Sequence, residues 1–330
     1  MTIECVCPSC GTVHDAADNE IGRAYVCARC KNECIVPSLR VDPGRRFGRF
    51  EVMRPIGCGA SSEVHLARHV DSGQQAALKI LFVEDADAET DKRRFGREVR
   101  NASSLRHPNL VEIYEFGEAP PPAGQRSSIC YLAMEYIEGE TLDKFLEDHG
   151  ELPEDDGLRV VLDVARAMAF AWNEKHIVHR DIKPGNIILS LAGQTKLMDL
   201  GIAKSLLFDH TLLTAPDTVI GSPPYMSPEQ CAPGKQIDHR ADIYSLGATL
   251  YQLVTNNFPF LGKNAVETLR MQMFAPLPDP RKHCPKLSDG MVTLIRKMMA
   301  KSVNQRQQTW EQLIADATAV LEPLKAARRV

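Results

Sequence analysis

The chain has 330 residues, 44% of them hydrophobic and 25% charged, which is typical of a globular protein with one or two domains. Its 39 Lys and Arg against 43 Asp and Glu give a net charge of −4, which excludes a chain-wide positive field that would attract nucleic acid or anionic lipid. No apolar run reaches the ~18 residues that a membrane-spanning helix needs, and no secretory signal is recognisable at the start. We therefore expect a cytoplasmic protein without a membrane partner.

Six of the ten cysteines precede residue 35, in a segment too short to bury a core of its own. Four of these six form two Cys-x-x-Cys pairs: Cys7 with Cys10, and Cys27 with Cys30. Each two-residue gap allows a tight turn to aim two thiolates at one tetrahedral ion. The spacing predicts a zinc ribbon with a closed, structural Zn²⁺ site; disulfides or free thiols are the alternatives.

Two further cysteines, Cys5 and Cys34, flank these pairs. They could be substitute ligands or redox thiols, but plain buried residues are the preferred interpretation. The stretch 35–50 that follows is rich in Pro, Gly and Arg, as in an exposed linker. We predict a zinc-ribbon-like domain over residues 1–38, a linker over 39–48 and a second domain over 49–325.

The second domain begins with strand-like runs and continues with helical ones. Five runs are rich in Val, Ile and Tyr, and one helical segment interrupts them. The strands are predicted at Phe50–Pro55, Glu63–His69, Gln75–Phe82, Leu110–Gly117 and Ile129–Tyr136, and the helix at Asp91–Leu105. A Pro-rich stretch, 119–127, predicts an exposed hairpin loop. From Leu158 to Trp172 apolar residues recur at helical spacing, so the sequence predicts an α+β domain.

A glycine-rich segment, Gly57-Cys58-Gly59, lies between the first two strands. Glycines leave backbone N–H groups accessible to phosphate oxygens. Because a strand follows rather than a helix, the segment predicts a hairpin lid over a nucleotide and not a dinucleotide fold; a plain hairpin is the alternative. We interpret Cys58 as an ordinary small residue in preference to a redox switch.

Charged and amide residues follow in a fixed order. Lys79 lies in an apolar strand, where its charge needs a partner, and Glu98 in the next helix is the natural one. The run from His179 to Asn186 then supplies a carboxylate, a cation and an amide, and Asp199 follows thirteen residues later. In identity, order and spacing, these motifs resemble those of the eukaryotic-type (Hanks-type) protein Ser/Thr kinases, most closely their bacterial members, over residues 47–325.

The resemblance implies a bilobal kinase fold, with an N-lobe at 49–136 made of an antiparallel sheet and one helix, and a mainly helical C-lobe at 140–325. It implies that Asp181 orients and deprotonates the substrate hydroxyl and that Lys183 neutralises the transferring γ-phosphoryl group. Lys79, paired with Glu98, would hold the α- and β-phosphates.

The resemblance also implies the metal and ATP contacts. Asn186 and Asp199 would hold Mg²⁺ between the phosphates. The ATP-binding positions would be Ile56, Gly57, Gly59, Val64, Ala77, Lys79, Met134, Glu135, Ile137 and Ile188. Three positions depart from the family pattern, namely Ser62, Leu200 and Ser222, but none removes a charge that the reaction needs.

Further matches to the family concern residues that support the catalytic loop and residues that regulate activity. Glu229 would pair with Arg306, and Asp242 would brace the catalytic loop. Arg180, next to Asp181, accompanies control by activation-loop phosphorylation in such kinases, which predicts trans-autophosphorylation at Thr214 or Thr218 and hence a second copy of the chain as a partner. These two threonines could equally be ordinary loop residues.

Two functions are weighed. The first is an ATP-dependent protein Ser/Thr kinase acting on protein substrates; the alternative is a weak or inactive kinase-fold scaffold that binds partners through its ribbon. The intact motif residues argue against the scaffold. For the ribbon, a protein partner is favoured over nucleic acid, because Glu20 and Glu33 dilute its positive charge and Tyr25 is its one evident aromatic.

Overall fold

The computed structural model of the chain falls into two compact units, residues 1–106 with 111–138 and residues 107–110 with 139–330. It describes residues 2–7, 10, 12–17, 23–35, 41–58, 62–83, 96, 99–120, 128–200, 213–215, 218–219, 222–232 and 234–328. In this part of the chain, no helix combines the length and the apolar composition that a membrane crossing requires.

The first unit is built mainly of strands. They are β1 (Thr2–Val6), β2 (Val13–Ala17), β3 (Ala24–Val26), β4 (Glu33–Ile35), β5 (Arg46–Phe47), β6 (Phe50–Cys58), β7 (Ser62–His69), β8 (Gln75–Val83), β9 (Ile113–Ala119) and β10 (Ser128–Glu135). Residues 99–103 are helical, inside the predicted helix, most of whose first half lies outside the described residues. Each of the five predicted strands is present.

One of these strands begins later than predicted. Leu110 does not start β9; it belongs to the second unit, where it forms an isolated bridge with Leu197. β9 pairs with β10 as an antiparallel hairpin, as predicted, and its loop, residues 121–127, lies outside the described residues.

The main sheet of the first unit has the order β2-β1-β6-β7-β8-β10-β9, and β5 also pairs with β6. Its neighbours are antiparallel except for β1 and β6, which are parallel. Side chains alternate between the two faces of a strand. On β8, Leu78 and Ile80 are therefore buried in the apolar core, and Ala77 and Lys79 lie on the opposite face.

The predicted linker is held at two points. Val41 and Phe47 are buried in the same apolar core as β8, whereas Pro43 and Gly44 between them are exposed. Phe47 packs edge-on against Tyr131, with ring centroids 5.6 Å apart. The described part of the linker, residues 41–48, is thus exposed only in part, because Val41 and Phe47 are buried against the sheet.

The second unit is mainly helical. Its helices are α1 (Leu142–His149), α2 (Glu154–Lys175), α3 (His239–Thr255), α4 (Ala265–Phe274), α5 (Asp289–Met298) and α6 (Trp310–Arg328), and its strands are β11 (Gly139–Thr141), β12 (Ile187–Ser190), β13 (Thr195–Leu197), β14 (Leu213–Ala215) and β15 (Thr218–Val219). One unit built mainly of strands and one built mainly of helices confirm the predicted α+β class.

Helix α3 forms the core of the second unit. All its residues from Ala241 to Thr255 are buried, as expected for a helix that is apolar on every side. Asp238 caps its start by accepting a hydrogen bond from the backbone N–H of Arg240. A Cβ at Gly247 would lie 2.7 Å from the Cβ of Met298, so glycine permits α3 to approach α5 closely.

Candidate active site and metal centre

The two Cys-x-x-Cys pairs lie at the turns of two neighbouring hairpins. Cys7 and Cys10 follow β1, and Cys27 and Cys30 follow β3. The four sulfur atoms lie within 4.8 Å of one another, with 3.6 Å between Cys7 and Cys30 and 3.7 Å between Cys10 and Cys27. Sulfurs bound to one tetrahedral Zn²⁺ at about 2.3 Å are about 3.8 Å apart. The donor set and its spacing therefore fit one tetrahedral metal ion.

The electrostatics of this cluster favour a thiolate at Cys27. Thiol hydrogen bonds from Cys10 and then Cys7 lower the pKa of Cys27. The Nε2 atom of His14 lies 3.0 Å from the same sulfur. Metal ligation requires thiolates, so an environment that stabilises one of them also favours metal binding.

Two further residues lie against the cluster: Cys34, for which a plain buried role was preferred, and His14. Cys34 Sγ lies 3.6 Å from Cys7 Sγ, and burial raises the pKa of Cys34 to about 12. His14 was not considered, although a histidine four residues after Cys10 is itself a metal-ligand spacing. Each of these residues therefore contacts one of the four predicted ligands, Cys34 contacting Cys7 and His14 contacting Cys27.

The predicted nucleotide-binding residues of the first unit share one face of the main sheet. Val64 on β7 lies opposite Lys79 on β8, and Ala77 lies opposite Met134 on β10. Directly opposed residues of antiparallel strands point to the same face, and so do residues i and i+2 of one strand. The pattern thus places a half-buried ammonium beside three apolar side chains, and Gly57 lies opposite Val64 at the edge of this face.

Other predicted positions of the first unit are only partly described. Ile56 is half-buried on β6, Glu135 ends β10, and Ile137 follows it, just before the chain enters the second unit. Gly59 and Glu98 lie outside the described residues.

The second unit holds the predicted catalytic loop. The Nδ2 atom of Asn186 donates to the backbone oxygen of Asp181 at 2.8 Å and to its Oδ2 at 3.0 Å. The Nζ atom of Lys183 lies 3.5 Å from the same Oδ2 and donates to Ser222 Oγ at 2.8 Å. The Asp181 carboxylate thus contacts the Asn186 amide and the Lys183 ammonium, and Lys183 also contacts the Ser222 hydroxyl. Serine replaces the family's usual threonine at position 222 and still supplies a hydroxyl.

The buried side chain of His179 connects the catalytic loop to the strand region that follows it. It is fully buried; its Nε2 donates to the backbone oxygen of Met198 at 2.9 Å, and its Nδ1 accepts from the backbone N–H of Asp181 at 3.3 Å. One imidazole therefore fixes Asp181 and the residue that precedes Asp199. Sequence analysis placed His179 within its motif but gave it no role, although the two apolar residues directly before it, Ile177 and Val178, indicate burial.

Asp242 braces the loop, as predicted. Its two carboxylate oxygens accept hydrogen bonds from the backbone N–H groups of His179 and Arg180, each at 2.7 Å. Arg180 has φ = 65°, a left-handed conformation that is costly for a residue with a side chain. Two charge-assisted hydrogen bonds from a fully buried residue of α3 hold that conformation.

The segment after residue 221 is anchored to the same helical core. Gln272 on α4 donates to the backbone oxygens of Pro223 and Pro224, and Gln230 donates to the backbone oxygen of Arg180. Gln230 is a positioning residue that sequence reasoning missed. Thr214 and Thr218, the predicted phosphorylation positions, lie on the paired strands β14 and β15.

The remaining predicted positions belong to the strands that follow the catalytic loop. Ile188 is half-buried on β12, and Asp199, after β13, has the left-handed φ of 57°. The backbone N–H of Met198 donates to the oxygen of Asn186 at 3.0 Å, which couples the two predicted magnesium-holding positions through the backbone.

Comparisons with known proteins agree with this arrangement. The model of the protein kinase domain family matches residues 50–317. The chain is 36% identical to the serine/threonine-protein kinase PknB of Mycobacterium leprae over 279 residues, and 37% identical to the serine/threonine-protein kinase PrkC of Bacillus subtilis over 274 residues. These matches cover 84% and 83% of this chain but 44% and 41% of the relatives, so the chain spans less than half their length.

A solved structure has the same fold. The kinase domain of PknI from Mycobacterium tuberculosis superimposes with a TM-score of 0.65 at 25% identity, covering 84% of this chain and 99% of that one. The family match extends over most of the chain and includes the catalytic loop and both strands of the glycine-rich hairpin. The chain therefore belongs to the protein kinase family.

Proposed function

We propose that this chain is an ATP-dependent protein kinase that transfers the γ-phosphate to Ser and Thr hydroxyls of protein substrates. The observation that carries the proposal is the set of contacts around Asp181. Its carboxylate is held by the Asn186 amide and lies beside the Lys183 ammonium, next to the hydroxyl of Ser222. Phosphoryl transfer depends mainly on positioning and on charge stabilisation, and this set supplies both.

In the proposed reaction the substrate hydroxyl attacks the γ-phosphorus as the bond to the β-phosphate oxygen breaks. Asp181 orients the hydroxyl and accepts its proton, and Lys183 offsets negative charge on the transferring group. In the first unit, Lys79 would bind the α- and β-phosphates, and Val64, Ala77 and Met134 would enclose the base.

The donor set fits the magnesium ion that this family uses with ATP. Because Asn186 donates its amide nitrogen to Asp181, its carbonyl oxygen is the atom that remains for a metal, and the Asp199 carboxylate is the second oxygen donor. These two residues would hold Mg²⁺, which when bound neutralises phosphate charge.

The amino-terminal cysteines are proposed to hold one structural Zn²⁺ through Cys7, Cys10, Cys27 and Cys30. The proposed domains are a ribbon at 1–38, a linker at 39–48 and a kinase domain at 49–325. Activation by trans-autophosphorylation at Thr214 or Thr218 would make a second copy of the chain a transient partner. After incubation with ATP and Mg²⁺, intact-mass analysis and peptide mapping should place added phosphate on the segment that contains these threonines.

The test of the catalytic proposal compares the wild type with Asp181→Asn. Transfer of γ-phosphate from ATP and Mg²⁺ to the chain itself and to a generic basic protein is measured. Loss of the general base should lower the rate about 10²–10⁴-fold without loss of ATP binding. Asp148→Asn, at an exposed carboxylate on α1 of the same unit, is the matched control and should transfer normally. No transfer by either protein, with ATP still bound, would favour the non-catalytic scaffold.

A further inference from the structure

Strand β1 of the cysteine-rich segment runs parallel to the end of β6, the strand that leads into the glycine-rich hairpin. In this pairing Glu4 lies opposite Gly57, and Cys5 lies opposite Cys58. The cysteine-rich segment and the glycine-rich hairpin are therefore parts of one hydrogen-bonded sheet. Neighbouring strands are about 4.8 Å apart, which is inside the Cα separation of about 4.4–6.8 Å that a disulfide bridges.

The two thiols are in direct contact. Cys5 Sγ lies 3.1 Å from Cys58 Sγ, closer than the 3.6 Å and 3.7 Å contacts among the predicted metal ligands. Cys5 and Cys58 are 1% and 3% exposed, and they form a small buried cluster with Ala16 and Tyr25. Cys5 is not one of the four cysteines whose sulfurs gather as a possible metal site among the described residues.

We propose that Cys5 and Cys58 form a modification site, a dithiol that a small hydroperoxide converts into a disulfide joining β1 to the glycine-rich hairpin. The sulfurs need to approach each other by about 1 Å, which side-chain rotation provides. The proposal depends on both cysteines together, because the strand register places Cys5 opposite Cys58.

The chemistry balances with hydrogen peroxide as the oxidant. One thiol attacks the O–O bond, which forms a sulfenic acid and releases one water. The second sulfur displaces the sulfenic oxygen, forms the S–S bond and releases a second water. Two thiols are thus oxidised by two electrons while one peroxide is reduced to two waters. Reduction by a dithiol reverses the step.

The consequence follows from where Cys58 lies. It directly follows Gly57, which lies opposite Val64 at the edge of the predicted nucleotide-binding face. A disulfide would fix the end of β6 covalently to β1 and restrict how Gly57 can adjust to a bound nucleotide. On the proposed kinase function, on which this effect rests, oxidation should reduce ATP turnover several-fold; formation of the disulfide does not depend on that function.

The experiment uses the full-length, zinc-loaded chain. The reduced protein is treated with hydrogen peroxide, remaining thiols are alkylated, and peptides are analysed by mass spectrometry without reduction. The expected product is a peptide containing Cys5 linked to one containing Cys58, which disappears after dithiothreitol. Hydrogen exchange should slow in residues 2–7 and 52–58 of the oxidised wild type, a readout that requires neither a variant nor catalysis.

Two variants complete the design. Cys5→Ala removes the linked peptide and should make turnover insensitive to peroxide, whereas Cys284→Ala, at a partly exposed thiol of the second unit, should keep both responses. Recovery of Cys5 and Cys58 as alkylated thiols while Cys284 is oxidised would overturn the proposal, as would a link from Cys5 to Cys7 or Cys34. A disulfide that forms without any turnover in the reduced protein would support the modification site and count against the kinase function.

Discussion

Arg306 donates from both terminal nitrogens to the two carboxylate oxygens of Glu229, at 2.7 and 2.8 Å, although 77 residues separate them. Both side chains are buried, and Arg306 also donates to the backbone oxygens of Ala300 and Arg240. The guanidinium and the carboxylate thus form a bidentate pair, and backbone carbonyl oxygens accept further N–H groups of Arg306. The ion pair joins the segment after residue 221 to the loop before α6.

Arg306→Ala should destabilise the second unit by about 3–5 kcal/mol, because it leaves the Glu229 carboxylate buried without its partner. Urea unfolding followed by tryptophan fluorescence measures this, since both tryptophans, Trp172 and Trp310, belong to that unit. The matched control is Arg296→Ala, whose pair with Asp279 is exposed and should contribute less than about 1 kcal/mol. Similar midpoints for the two variants would contradict the prediction.

Asp242→Asn should lower kcat about 10²-fold while KM for ATP changes little. The amide can accept one backbone hydrogen bond but presents N–H groups to the other, so Arg180 loses part of its support and Asp181 shifts. Steady-state kinetics with varied ATP separates the two constants, and hydrogen exchange at residues 179–181 should rise in parallel. A large increase in KM at unchanged kcat would indicate that Asp242 does not position the catalytic loop.

Lys301 makes the stability of the second unit depend on pH. Its Nζ donates to the Gln272 backbone oxygen at 2.6 Å and lies 4.0 Å from the centre of the Phe260 ring. Burial lowers the pKa of Lys301 from 10.5 to about 8. Between these values the unfolded chain binds the proton and the native state does not, so the free energy of unfolding should rise with pH from about 8 to about 10.5.

Urea unfolding at several pH values, compared with Lys301→Met, isolates this contribution. The stability of the wild type relative to the variant should increase between pH 8 and pH 10. Lys297→Met, at an exposed lysine on α5, is the control and should show no such increase. A difference that falls with rising pH would refute the assignment.

Cys27→Ser should abolish zinc binding. The purified wild type is expected to contain about one zinc per chain by elemental analysis, and the variant close to none, because a four-sulfur structural site does not tolerate loss of a ligand. Cys284→Ser should retain the metal. Amide protection should be lost in β1 to β4, while the tryptophan transition of the second unit stays in place. Full zinc content in Cys27→Ser would point to Cys34 or His14 as a replacement ligand.

Much of the second unit could be predicted because its signals are local. The predicted catalytic loop is a run of consecutive residues, His179 to Asn186, so its pattern can be recognised directly in the sequence. The apolar residues from Leu158 to Trp172 recur at helical spacing, which predicts their helix. The Glu229–Arg306 pair was predicted from family resemblance, and the structure confirms it. The individual ATP-binding and magnesium-binding roles remain predictions.

The parallel pairing of β1 with β6 could not be predicted in this way. A parallel pair between segments about fifty residues apart has no turn sequence and no alternation that distinguishes it from separate strands. For the same reason Cys5 was interpreted as a plain buried residue and Cys58 as an ordinary small residue, with no connection between them. The burial of Val41 and Phe47 was missed because two apolar residues among Pro, Gly and Arg give no periodic signal.

The edge of β6 is covered twice. β5 pairs with its first residues, and β1 pairs with Gly57 and Cys58 at its end, although the family match begins only at residue 50. A chimera that joined an unrelated amino-terminal segment near residue 40 would leave the N–H and C=O groups at the end of β6 open to strand addition by another molecule. Replacing the amino-terminal segment at that junction therefore carries a risk of aggregation. We expect residues 2–6 to have to remain together with the β6–β7 hairpin whose first strand they pair with.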